Sequence, residues 1–178
     1  MSAPASRQPY LVLLLAVVGL DQVTKWLVDR ALELHESRQV IGGLLSLTYV
    51  RNRGGAFGVF SDAQLPYQAI LFSAVSVAAL CGIAAYGWRL PAASRLPQTA
   101  LALIMGGALG NLIDRARLGH VVDFVDVFWN AHHWPAFNVA DSAITVGVFL
   151  LILDMLVSPE AGETVGAEVG APPLAGSE

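Results

Sequence analysis

The chain has 178 residues, 55% of them hydrophobic and only 13% charged, with a mean hydropathy of +0.59 and a formal net charge of −4. A soluble domain is about one quarter charged, so this composition excludes an ordinary water-soluble fold and points to a membrane protein. The lone cysteine, Cys81, lies inside an apolar run and excludes both a disulfide framework and a cysteine-based metal site.

Crossing a bilayer core takes about 20 apolar residues. The first predicted span is 9–28. Its charge-free part, with Arg7 before it, has the length of a signal-peptide core. No small-residue cleavage pattern follows, and the stretch continues into Asp21-Gln22-Val23-Thr24-Lys25, so a retained helix is expected. In the long connection 29–66, Asp29 to Ser37 reads as a polar, partly amphipathic continuation of that helix. Leu45 to Val50 alternates apolar and hydroxyl residues and reads as a strand. Next comes Asn52-Arg53-Gly54-Gly55-Ala56-Phe57-Gly58, either a plain turn or a backbone able to approach a ligand closely.

Spans 67–88 and 96–113 follow, joined by the short connection 89–95. Connection 114–139 holds a second β-rich run, Val121 to Trp129, and Trp129, Trp134 and Phe137 read as an aromatic belt at the membrane interface. The last span is 140–157. Four spans put both longer connections on one side, where their strands can pair in a small sheet. Residues 1–158 then form a single membrane domain, and the acidic Gly/Ala/Pro-rich tail 159–178 is expected to be disordered.

Asp21, Asp114, Asp123 and Asp141 stand at the edges of these spans, where an ionised group needs partners or a chemical task. Asn111, Asp114 and Arg115, at i, i+3 and i+4, share a helix face, and Arg115 suits the negative end of the helix and can hold Asp114. Asn138 and Asp141 share a face at the start of the last span, whose free N–H groups stabilise a carboxylate. Asp123 has no cation beside it in sequence. Two carboxylates in unlike environments make an acid/base dyad the leading reading. Each also has a bland alternative: an N-cap for Asp141, an interfacial pair for Asp114–Arg115, an i,i+4 pair for Asp21–Lys25. Asp126 reads as a loop acid and Asp154 as lying near the far end of its span. His132-His133 lacks a matched third metal ligand.

Together, Asp21-Gln22-Val23-Thr24-Lys25, Asn52-Arg53-Gly54-Gly55-Ala56-Phe57, Gly106-Gly107-Ala108-Leu109-Gly110-Asn111-Leu112-Ile113-Asp114-Arg115, Val121-Val122-Asp123-Phe124 and Phe137-Asn138-Val139-Ala140-Asp141-Ser142 strongly resemble the lipoprotein signal peptidase (signal peptidase II) family. The resemblance covers roughly residues 8–157. It departs from the usual pattern at Gly55, where alanine is commoner, and in the acidic tail. It implies an integral membrane, mainly α protein: a four-transmembrane-helix bundle with a small extracytoplasmic β-sheet and an interfacial helix in the first long loop. The implied activity is an aspartic endopeptidase of the bacterial inner membrane. It would cut diacylglyceryl-modified prolipoproteins just before the lipidated cysteine. By motif position the catalytic pair is Asp123 and Asp141, with Asp21, Lys25, Asn52, Gly54, Asn111, Asp114, Arg115 and Asn138 in substrate-binding or supporting places. The expected partners are prolipoprotein signal peptides and membrane lipids. No cofactor, metal or nucleic acid is expected, and the protein is expected to be a monomer.

Orientation divides the two lines of reasoning. Arg7, Arg89 and Arg95 mark the terminal side, while Arg30, Arg38, Arg51, Arg53, Arg115 and Arg117 mark the long-loop side. Positive-inside counting puts the long loops in the cytoplasm; the resemblance puts them outside and the termini inside. An ion or proton transporter, a non-catalytic scaffold and a metal-dependent hydrolase are the rival classes. The first would stagger its acids along the membrane normal, the second would leave the Asn–Asp faces without purpose, and the third would be sensitive to chelators.

Overall fold

In the computed structural model, residues 6–55 and 67–157 are described. The order is α1 (Gln8–Ala31), β1 (Ser37–Ile41), β2 (Leu45–Asn52), α2 (Gln68–Arg89), α3 (Arg95–Leu118), β3 (Val121–Trp129), β4 (His132–His133) and α4 (Val139–Val157). All four helices are long and apolar enough to cross a membrane. They fall on the four expected spans. Hydroxyls within them donate to the carbonyl four residues back, as from Thr24 to Leu20 and Ser76 to Phe72, which pairs these groups in an apolar surround.

α3 is the axis of the bundle, and its glycines let the neighbours close in. A β-carbon at Gly107 would strike the Ala140 carbonyl oxygen of α4, and one at Gly110 would strike the Asp21 carboxylate of α1. At Gly106 it would lie 2.9 Å from the Val17 Cβ. Small residues take this role in membranes because helices gain from close backbone packing when lipid is as apolar as leucine. The outward faces of α1, α2 and α4 expose Leu11, Leu15, Ile70, Leu71, Phe149 and Ile152. At the terminal end, Arg7 Nη2 donates to the Trp88 and Leu90 carbonyls at 2.8 Å, satisfying orphan groups where α2 ends.

At the other end β1–β4 form an antiparallel sheet in sequential order. Beneath it a small core of Val28, Leu32, Tyr49, Val122 and Phe124 joins the top of α1 to the sheet. The expected strands are present as β2 and β3. The expected helical continuation from Asp29 to Ser37 is not: α1 stops at Ala31, and Ser37 opens β1. Every residue of β1 is exposed, so no burial alternation marked it as a strand. α3 runs five residues past the expected 113 and stops at Gly119, whose φ of 74° is left-handed. No helix occurs among residues 32–55 of the first long loop. The rest of that loop (56–66), with the remainder of the interfacial-helix expectation, lies outside the described residues, as does the tail 159–178.

Gly107→Ala should lower the thermal midpoint in detergent, at a cost of about 1–3 kcal/mol from overpacking against backbone. Gly19→Ala, where an added methyl meets nothing within 4 Å, should leave it unchanged or slightly higher.

Candidate active site

The site is built where the tops of α1 and α3, the start of α4 and strands β2 and β3 converge. Its base is Lys25, 3% exposed. The ammonium lies 2.9 Å from Asp21 Oδ2, 3.0 Å from Asp114 Oδ2 and 2.8 Å from Asn111 Oδ1, so each of its three protons has an acceptor. Both carboxylates also hold backbone. Asp21 Oδ1 accepts the Ala140 N–H at 3.0 Å, in the first turn of α4. Asp114 Oδ2 accepts the Val122 N–H at 3.1 Å, beside Asp123 on β3. The i,i+4 pair of Asp21 and Lys25 exists, but it is one edge of a larger network.

Asn138 caps α4 and stands between two aspartates. Its Oδ1 accepts the Asp141 N–H at 2.9 Å, and Asp141 Oδ2 accepts the Asn138 N–H at 3.3 Å, a reciprocal capping box. Its side-chain amide donates to Asp123 Oδ1 at 2.7 Å. Asn138 is wholly buried and Asp123 is 2% exposed. Asp123 Oδ2 takes a second amide, from Asn52 at 3.0 Å, while Asp141 Oδ1 takes that of Asn111 at 2.8 Å. Asn52 is held by the glycine turn, whose Gly54 N–H donates to its Oδ1 at 2.8 Å. Burial first, and the Asp141 charge second, push the Asp123 carboxyl up to about 7.

All ten residues singled out from the sequence therefore meet in one place: Asp21, Lys25, Asn52, Gly54, Asn111, Asp114, Arg115, Asp123, Asn138 and Asp141. One expected contact is absent. Arg115 does not hold Asp114; successive residues point about 100° apart on a helix, so Asp114 turns to Lys25 and Arg115 away. Arg115 Nη2 donates instead to the Gly54 carbonyl at 2.8 Å, and its guanidinium lies 5.7 Å above the Phe72 ring. Among the described residues its buried Nε has no hydrogen-bond partner.

Sequence reasoning missed Gln22, whose amide joins Asp21 Oδ2, the Gly110 carbonyl and Asp114 Oδ1 at 3.0–3.2 Å. Its signal was a glutamine next to a carboxylate within an apolar span. Also missed was the clasp of Tyr49, whose hydroxyl donates to Asp29 and accepts from Arg51 Nε, tying α1 to β2. His133 pairs with Asp126 at 2.9 Å and stacks on Phe128. Among the described residues no group of three His, Cys, Asp or Glu could hold a metal ion.

Beside Asp141 a groove of about 360 Å³ opens between α2, α3 and α4. Val75, Ala79, Ile83, Ile104 and Ile144 line it, with Asn52, Asn111, Arg115 and Asp141 also in its wall.

Fold and site together define a multi-pass membrane protein with a paired-aspartate centre under a small sheet. The family model described as signal peptidase (SPase) II matches residues 13–157, and the chain belongs to that family of aspartic-type peptidases. A lipoprotein signal peptidase of Geobacter metallireducens is 55% identical over 137 residues, covering 77% of this chain and 83% of the relative. One from Pseudomonas syringae pv. tomato is 44% identical over 160 residues, covering 89% of this chain and 92% of the relative. A bacterial membrane enzyme solved by the in meso method at 2.3 Å resolution superposes with a TM-score of 0.79 at 30% identity, covering 92% of this chain and 97% of that one.

The raised Asp123 carboxyl makes stability depend on pH. Its folded value of about 7 lies above the ordinary 3.8, so its contribution is full below the unfolded value and is lost as pH rises through about 7. Thermal midpoints taken from about pH 4 to about pH 8 should therefore fall less with rising pH in Asp123→Asn than in the wild type.

Proposed function

We propose that Asp123 and Asp141 are the catalytic pair with which this signal peptidase removes signal peptides from prolipoproteins, cutting ahead of a diacylglyceryl-modified cysteine. One observation carries the assignment: Asn138 hydrogen-bonds both carboxylates, one through its side-chain amide and one through its backbone. Two carboxylates held by one residue, in unlike surroundings, suit a dyad in which one is ionised and the other protonated. The ionised member takes a proton from water as the oxygen bonds to the scissile carbonyl carbon, while the protonated member gives its proton to the carbonyl oxygen. The resulting diol collapses as the carbon–nitrogen bond breaks. The first aspartate then passes its proton to the leaving amide nitrogen, and the second recovers one from a diol hydroxyl.

The groove gives this chemistry a substrate position. Its aliphatic wall suits the apolar helix of a signal peptide, and binding that helix along α2 and α4 would bring a peptide bond to Asp141 in its wall. The Nε of Arg115, without a partner among the described residues, is a donor for a substrate carbonyl in the same wall. A transporter reading, by contrast, calls for acids staggered across the membrane, whereas Asp21, Asp114, Asp123 and Asp141 form one hydrogen-bonded network. The lipid-modified cysteine of such a substrate lies at the outer surface of the inner membrane. The sheet and site then face outward, with the termini and Arg89–Arg95 in the cytoplasm. Arg51 has a local task consistent with that orientation, stacking over Tyr49 at 5.4 Å.

Asp123→Asn and Asp141→Asn should each reduce cleavage of a lipidated prolipoprotein by the purified protein by at least about 100-fold while leaving a folded protein, because an amide cannot exchange the proton. Substantial turnover in either variant would remove the assignment. Activity should also persist in excess EDTA; loss in chelator with recovery on adding zinc would favour a metal hydrolase. For topology, Gln39→Cys and Ala93→Cys in a Cys81→Ala background can be probed on spheroplasts with an impermeant thiol reagent. Labelling at 39 with protection at 93 is expected, and the reverse would place the site on the wrong face.

A further inference from the structure

Three groups that can only donate decide how the asparagines around the aspartates are turned. The Lys25 ammonium takes Asn111 Oδ1 at 2.8 Å, so the Asn111 amide must face Asp141. The Asp141 N–H takes Asn138 Oδ1, so the Asn138 amide faces Asp123. The Gly54 N–H takes Asn52 Oδ1, so that amide also faces Asp123. Each carboxylate thus accepts two donors, but the donors differ. Those of Asp123 are amides whose carbonyls rest on backbone N–H groups, Asn138 on that of Asp141 and Asn52 on that of Gly54. One donor to Asp141 has its carbonyl on a cation, which polarises that amide toward the carboxylate, and Asp141 also sits in the first turn of α4 at the positive end of the helix.

We propose that Lys25 is a positioning residue that, through Asn111, makes Asp141 the base of the dyad and Asp123 its acid. The proposal rests on the reading of Asp123 and Asp141 as the catalytic pair and adds the order of their roles. The charged groups acting on Asp141 are Lys25 and Asp21 from α1, Arg115 from α3, and Asp123 from β3. Lys25 with Asp21 and Asp114 carries a net charge of −1, so the trio as a whole does not attract a proton-free carboxylate. The hydrogen-bonded path through Asn111 does. Arg115 acts on both aspartates across space, its hydrogen bond going to Gly54. In the hydrolytic step, Asp141 receives the proton of water as the carbon–oxygen bond forms, and Asp123 gives its own to the carbonyl oxygen. Asp141 later protonates the leaving nitrogen, and Asp123 is reprotonated from the diol.

The double variant Lys25→Met/Asp114→Asn keeps the trio at −1 while deleting the donor to Asn111. With full-length protein and a lipidated prolipoprotein, kcat and KM are measured across pH. The acid limb of the kcat profile should move to higher pH by about one unit, with KM unchanged, and Lys25→Arg should move it back. Should these variants fail to fold, infrared difference spectroscopy on wild type against Asp123→Asn gives a second reading. A carboxylic-acid carbonyl band present in the wild type near neutral pH should be missing in Asp123→Asn. An acid limb at its wild-type pH in the folded double variant, or an acid band that survives in Asp123→Asn, overturns the proposal. Full turnover in Asp123→Asn would instead remove the dyad itself, so the two failures are separable.

Discussion

A lysine ammonium buried at membrane depth is tolerated only when every donor is met, and meeting three donors on Lys25 organises this protein. Two acceptors come from α3 and one from α1, so satisfying the cation draws those helices together. The glycine at 110 makes that approach sterically open, since a β-carbon there would occupy the place of the Asp21 carboxylate. The same carboxylates then use their remaining lone pairs on the Ala140 and Val122 N–H groups, which sets the start of α4 and of β3. The positions of Asp141 and Asp123 follow from the partners of one cation.

Membrane and sheet divide the work at the site. α4 provides Asp141 from a capped helix start, where free N–H groups already favour an anion. β3 provides Asp123 from a strand whose first four residues are buried, and β2 brings Asn52 beside it through antiparallel pairing of Asn52 with Val121. Burial on the strand first, and the Asp141 charge second, raise the Asp123 carboxyl to about 7. The groove alongside is walled mainly by aliphatic side chains of α2, α3 and α4.

Long apolar runs made the four spans legible, because a membrane helix must satisfy its backbone internally and cover itself in hydrocarbon. Alternation marked β2 and a β-rich run marked β3, but β1 has no buried face and left no trace. The acids and the Asn–Asp faces were readable because ionisable and amide residues are conspicuous in such a chain, whereas the site roles of Lys25, Asn52 and Gly54 came with the family resemblance. The pairing within the site was less readable. Arg115 adjoins Asp114 in sequence and yet serves Gly54, while Lys25, 89 positions away, holds Asp114. Gln22 shows the same limit: its bonds to Gly110 and Asp114 cross between helices.

Composition, hydropathy and motif order by themselves determined the membrane class, the four helices and the residues that gather at the site. Each of these depends on local solvation or on residue type. Only the tertiary structure decided that Asn138 lies between Asp123 and Asp141, which way each asparagine amide turns, and that Lys25 rather than Arg115 neutralises Asp114. The physical reason is that hydrogen-bond partnership between segments depends on helix rotation and on close approach at Gly106, Gly107 and Gly110. Those are three-dimensional packing outcomes, and no spacing along the chain encodes them.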